Sequence, residues 1–77
     1  MFWNNKKKEI HITGMKCEGC TKAIKRNLET IPEISKVKIN LSKNNAIITY
    51  KGTLDNNDIT RKIEELDYQV TEIKDIN

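Results

Sequence analysis

The sequence predicts an α+β sandwich of element order βαββαβ, in which a four-stranded antiparallel sheet carries two helices on one face. Three observations predict it. Apolar residues alternate at period two in short runs, and they recur at helical spacing in two other runs. These runs succeed one another as strand, helix, strand, strand, helix, strand. The chain has 77 residues, enough for one small core and no more.

Residues 1–7 read as a flexible leader, with Phe2 and Trp3 at a fraying terminus and Lys6, Lys7 and Lys8 as a solvated run, which leaves 8–77 as the domain. In "EIHIT", Ile10 and Ile12 share one face while His11 and Thr13 share the other, the pattern of a half-buried strand. Gly14 ends it, and His11 reads as an ordinary residue on the wet face. From Glu18 to Ile31 the apolar positions Ala23, Ile24, Leu28 and Ile31 fall at helical spacing, and Pro32 is a stop signal. This first helix has both cysteines at its N-terminus.

"ISKVKINL" alternates Val37, Ile39 and Leu41 against Lys36, Lys38 and Asn40. After the turn residues "SKNN", Ala46, Ile48 and Tyr50 of "AIITY" are again in phase, so the two runs form a β-hairpin. In "LDNNDITRKIEEL", Asp55 is the expected N-cap with Asp58 three residues on, Leu54 and Ile59 are placed for a hydrophobic staple, and Ile59, Ile63 and Leu66 form the buried stripe. "YQVTEIKDI" is the last strand. Val70 and Ile73 are three apart there, so a bulge or a fraying edge is needed to bury both. The whole is a split βαβ of the ferredoxin-like kind, with one covered and one wet sheet face.

Composition narrows the function. Apolar residues make up 36% of the chain, and 14 basic against 11 acidic residues give a net charge of +3. Nucleic-acid binders show a stronger and more clustered excess. An RNA-binding sheet of this topology needs aromatics on its open face, where this chain offers His11, Thr13, Ile47 and Thr49. There is no run of about 18 apolar residues to span a membrane, and the N-terminus lacks the apolar stretch of a secretory signal. A cytoplasmic location follows. With no Ser/His/Asp grouping and no phosphate-binding glycine loop, the chain reads as a non-enzyme.

Both cysteines lie in "GMKCEGC", residues 14–20. Three readings suit them: a metal claw, a thioredoxin-like redox pair with Cys17 as nucleophile, or two small buried residues. With Cys17 in a loop and Cys20 in the first helical turn, both sulfurs come within reach of one ion. The helix N-terminus stabilises thiolate over thiol. Lys16, Lys22, Lys25 and Arg26 add positive charge, so depressed cysteine pKa values are expected. A soft pair of thiolates with no third ligand selects Cu(I), whereas a structural Zn(II) site needs four ligands.

"GMKCEGC" opening a helix in a βαββαβ chain resembles the heavy-metal-associated domain of copper chaperones and of the N-terminal extensions of copper-transporting P-type ATPases. Gly14, Met15, Cys17 and Cys20 match the family pattern Gly-Met-x-Cys-x-x-Cys, and the resemblance runs from about Glu9 to Val70. It implies that Cys17 and Cys20 bind Cu(I), with Ag(I) or Hg(II) as other soft candidates. It further implies that Met15 is a core anchor under the loop and that Tyr68 lies near it. Bacterial members often carry Gly-Tyr where this chain has Asp67 and Tyr68, and the family usually has Gly where Glu33 stands. Zinc and cadmium pumps often have Asp before the first cysteine; Lys16 in that place argues for a monovalent soft ion.

The resemblance implies a soluble metallochaperone that passes Cu(I) by thiolate exchange to a copper-transporting P-type ATPase. The short chain, beginning at Met and ending without a linker, favours that reading over its alternatives, a metal-binding module of such an ATPase and a CxxC thiol oxidoreductase. Lys16, Lys22, Lys25 and Arg26 would form a basic rim that steers an acidic partner, although a solvated helix face looks the same in sequence. A monomer is expected without metal, and two sites sharing copper would bridge a dimer.

Overall fold

The computed structural model describes residues 5–76. Six elements follow in the expected order: β1 (Asn5–Thr13), α1 (Glu18–Leu28), β2 (Ile34–Asn40), β3 (Asn45–Lys51), α2 (Asn56–Glu64) and β4 (Gln69–Asp75). The strands form one sheet in the order β2-β3-β1-β4, with every neighbouring pair antiparallel. This is the ferredoxin-like fold, with both helices packed on one face.

The core follows from strand parity. Ile10 and Ile12 of β1, Val37 of β2, and Ala46, Ile48 and Tyr50 of β3 point to the same side and are buried with Ile24 and Leu28 of α1 and Ile59 and Ile63 of α2. Both helices present these residues at i, i+4 spacing, which lines one helical face. Asn27 of α1 donates its side-chain amide to Lys62 O and to Glu65 Oε1 (3.1 Å), tying the helices together.

Five details differ from the sequence reading. β1 starts at Asn5 rather than Glu9, so Lys6 and Lys7 are paired with Tyr50 and Thr49 of β3 and are not leader. The rest of the proposed leader, with Phe2 and Trp3, lies outside the described residues. Lys8 shares the parity of Ile10 and Ile12 and is only 6% exposed. Its ammonium donates to Asn56 Oδ1 (2.8 Å), pairs with Asp75 Oδ1 (2.9 Å) and lies 5.5 Å from the Tyr50 ring centroid. Ala23 is exposed, because it falls on the flank of the α1 stripe rather than inside it.

Helix α1 ends at Leu28, three residues before Ile31. Its last carbonyls are taken by tighter i→i+3 bonds, Thr30 N to Asn27 O (3.2 Å) and Ile31 N to Leu28 O (3.1 Å), and the residue before Pro32 disfavours helical backbone. His11 is half-buried. Its strand is flanked on both sides, by Asn45 and Glu72, and its Nε2 is enclosed 3.6 Å from Glu9 Oε2.

Other expectations hold. Asp55 caps α2 by accepting from Asn57 N at 2.9 Å, and Leu54 and Ile59 are both buried. The register of β4 steps from His11↔Glu72 to Ile12↔Val70, leaving Thr71 as the extra residue of a bulge. That bulge lets Val70 and Ile73 both pack against the core. At the same end of the sheet, Ile12 N donates to Asn44 O (2.9 Å), fixing the β2–β3 turn beside the loop that leaves β1.

Candidate metal centre

The loop from Gly14 to Cys17 joins β1 to α1. Gly14 adopts φ +99°, a left-handed value that residues with a β-carbon rarely take. A β-carbon there would stand 3.1 Å from Tyr68 Cδ1, so the ring covers the backbone at this turn. Met15 is buried at 7% exposure among the core residues. These two anchors set the path of the loop: Gly14 turns the chain and Met15 plugs it into the core.

Lys16 and Cys17 emerge exposed from that turn. Cys17 is the N-cap of α1 in an extended conformation, and its carbonyl accepts from the amides of Cys20 (3.1 Å) and Thr21 (3.4 Å). Its side chain makes no capping bond, which leaves the sulfur free for other chemistry. Cys20, half-buried, lies one helical turn on. The two sulfurs are 3.2 Å apart and both cysteines are free thiols. The apposition follows from the spacing, because positions three apart across the first helical turn face the same side.

Cys20 has a thiol drawn down from its ordinary 9.0 to about 6. The largest cause is the hydrogen bond from the Tyr68 hydroxyl, followed by the backbone N–H of Lys16 and the Cys17 thiol, with burial working against them. Tyr68 is raised above its ordinary 10.0 in return, chiefly because Cys20 holds its proton, with burial and the charge on Cys20 adding to it. The pKa of about 6 favours the thiolate form of Cys20 toward neutral pH, 3.2 Å from the Cys17 sulfur.

The structure thus brings Gly14, Cys17, Cys20 and Tyr68 together and sets Met15 beneath them. The depressed thiol expected from the sequence is found at Cys20. Its causes are a phenol, backbone amides and the Cys17 thiol, not the lysine side chains. Lys16 contributes through its backbone N–H, a role that a side-chain reading of the sequence misses. The signal available was the anchored turn before it, since a chain pinned at Gly14 and Met15 has its next amide aimed. Lys22, Lys25 and Arg26 are exposed on α1 and, with Glu29, line a shallow groove. Among the described residues, no cluster of three or more His, Cys, Asp or Glu side chains is placed to hold an ion. The thiolate pair is a soft, low-coordinate donor set.

The model of the heavy-metal-associated domain family matches residues 9–69. The chain belongs to this family. This heavy-metal-associated domain is 31% identical over 64 residues to the copper chaperone CopZ of Enterococcus hirae, an alignment covering 82% of the chain and 93% of CopZ. It is 32% identical over 62 residues to the nitrogen fixation protein FixI of Bradyrhizobium diazoefficiens, covering 79% of the chain but only 8% of FixI. Its fold matches that of a yeast copper transporter domain, studied in apo and Cu(I)-loaded states, with TM-score 0.83 at 24% identity, covering 92% of this chain and 99% of that one.

Proposed function

We propose that this domain carries Cu(I) on Cys17 and Cys20 and delivers it, in the cytoplasm, to a copper-transporting P-type ATPase. The observation that carries this reading is the 3.2 Å approach of the two sulfurs at the start of α1, in a family domain aligned with nearly the whole of a copper chaperone. Cu(I) is the cargo. Ag(I) and Hg(II) are soft enough to take the same donors.

The two sulfurs are inequivalent, and that inequivalence suits delivery. Cys17 is exposed and is the sulfur an incoming protein meets first. Cys20 is half-buried, and its thiol is drawn down chiefly by Tyr68 and then by the Lys16 amide. In the exchange, a partner thiolate forms a bond to copper, and then a bond from copper to one sulfur of this chain breaks. Copper keeps its charge and oxidation state throughout. Lys16, Lys22, Lys25 and Arg26 are exposed around and behind the loop, placed to steer a partner with an acidic docking face.

The same chemistry would serve a metal-binding module of a larger transporter, a reading supported by the fold match to a copper transporter domain. Transfer itself is testable. The Cu(I)-loaded domain, mixed anaerobically with an apo copper-ATPase domain, is expected to lose metal while its own amide signals around residues 14–20 return to their apo positions. Retention of copper against an equimolar apo acceptor, with no exchange, would overturn the carrier role.

A further inference from the structure

We propose that the groove between α1 and the β2 edge docks an extended acidic segment of a partner polypeptide, laid along β2 as an added strand. Among the described residues, β2 is an edge of the sheet, paired only with β3, so one row of its backbone N–H and C=O groups faces outward for pairing with another chain. Between that edge and α1 runs a groove of about 260 Å³ lined by Thr21, Lys22, Lys25, Val37, Lys38 and Ile39. The floor is apolar: Val37 and Ile39 lie at the core-facing positions of β2.

Charge selects the occupant. Lys22 and Lys25 stand on the helix side of the edge. Lys36 and Lys38 stand on the open-face side, opposite Thr49 and Ile47 of β3, and all four are exposed. An added strand would place alternate side chains on these two sides. Its open-face positions would meet Lys36 and Lys38. Its helix-face positions would meet Val37 and Ile39 under Lys22 and Lys25. The complementary sequence alternates carboxylates with aliphatic residues. A second copy of this chain pairing through its own β2 would set lysines against lysines, which is destabilising across a strand pair.

The groove begins at Thr21, directly after Cys20, so a docked segment would run alongside the metal-binding turn. This placement rests on the copper-carrier reading only for what the partner is; the groove does not need metal. The test therefore uses the apo protein and the Cys17→Ser/Cys20→Ser variant in parallel.

The probe is a blocked peptide about as long as β2 that alternates Glu and Val, titrated into labelled protein and followed by amide chemical shifts. The expected result is saturable binding in both proteins, with shifts confined to Thr21–Arg26 and Ser35–Asn40. Lys36→Glu/Lys38→Glu should weaken it at least about tenfold, whereas Lys74→Glu, on β4 at the opposite edge of the sheet, should not. A Lys–Val peptide should not bind. Shifts spread over the open sheet face, or no effect of reversing Lys36 and Lys38, would overturn the proposal. So would tighter binding to phosphatidylserine vesicles than to the peptide, or self-association of the chain lost on reversal, since each assigns the lysines to another occupant. Failure of copper binding with peptide binding intact would sink the carrier reading alone.

Discussion

The Tyr68 ring lies against the backbone of Gly14, so close that a β-carbon on residue 14 would meet Tyr68 Cδ1 at 3.1 Å. The same Tyr68, through its hydroxyl, is the largest cause of the lowered Cys20 pKa. One residue thus joins the turn after β1 to the thiolate that opens α1. Gly14→Ala adds both a clash and an L side chain at φ +99°. It is expected to cost about 1–3 kcal/mol and to push the ring off Cys20. Chemical denaturation measures the first effect, and a rise in the Cys20 pKa measures the second.

Removing the hydroxyl alone isolates the second effect. Tyr68→Phe keeps the ring over Gly14 but deletes the largest cause of the Cys20 shift. The thiol should therefore titrate well above about 6 and closer to its ordinary 9.0. Ultraviolet absorbance of the thiolate against pH, or the pH dependence of alkylation, reads this directly; an unmoved titration would remove Tyr68 from the site.

The Cys20 shift also fixes the sign of a pH effect on stability. The folded-state pKa lies below the unfolded one, so the unfolded state binds more protons between them. The contribution is fully present above 9.0 and is lost as pH falls through about 6. Tyr68 titrates above 10.0 and does not enter this window. The apo protein should lose stability as pH drops from 9 toward 6 relative to Cys20→Ser, whose curve over this range should be flatter.

Asp67 occupies a left-handed turn position after α2, with φ +67°. Glycine takes that conformation without a β-carbon penalty. Asp67→Gly is expected to raise stability by about 0.5–1 kcal/mol, visible as a higher Tm. Lowered stability would mean that the Asp67 side chain holds this turn.

Lys8 ties β1 to Asn56 at the start of α2 and to Asp75 at the end of β4. Asp75 is 74% exposed, so Asp75→Asn should change stability by no more than about 0.5 kcal/mol. Lys8→Ala also loses a buried stem, the ammonium near the Tyr50 ring and the bond to Asn56, and should cost about 1–3 kcal/mol. Equal effects of the two substitutions in urea denaturation would contradict the assignment.

Much of this was legible because it depends on local periodicity. The alternation in β1, β2 and β3, the Asp55 cap, and the irregularity that the spacing of Val70 and Ile73 demands of β4 are all written in neighbouring residues; the register then shows that irregularity to be a bulge. So is the placement of Cys17 and Cys20 at a helix start. Lys8 was misread, although its parity with Ile10 and Ile12 pointed inward, because three consecutive lysines resemble a solvated leader. Its partners, Asn56 and Asp75, are far along the chain and no local pattern reveals them. The place of Tyr68 beside the loop was reached only through the family resemblance, because its contact with Gly14 spans the fold, and the effect of the Lys16 amide was illegible because it belongs to the backbone.

Metal affinity of the apo domain tests the central claim most directly, by anaerobic Cu(I) competition titration of the wild type beside Cys17→Ser and Cys20→Ser. One tightly held Cu(I) per chain, lost on either substitution, and far weaker binding of Zn(II) by the monomer are the expected results. Tight Cu(I) binding that survives both substitutions would contradict the assignment of the site, and Zn(II) bound as tightly as Cu(I) would contradict its selectivity.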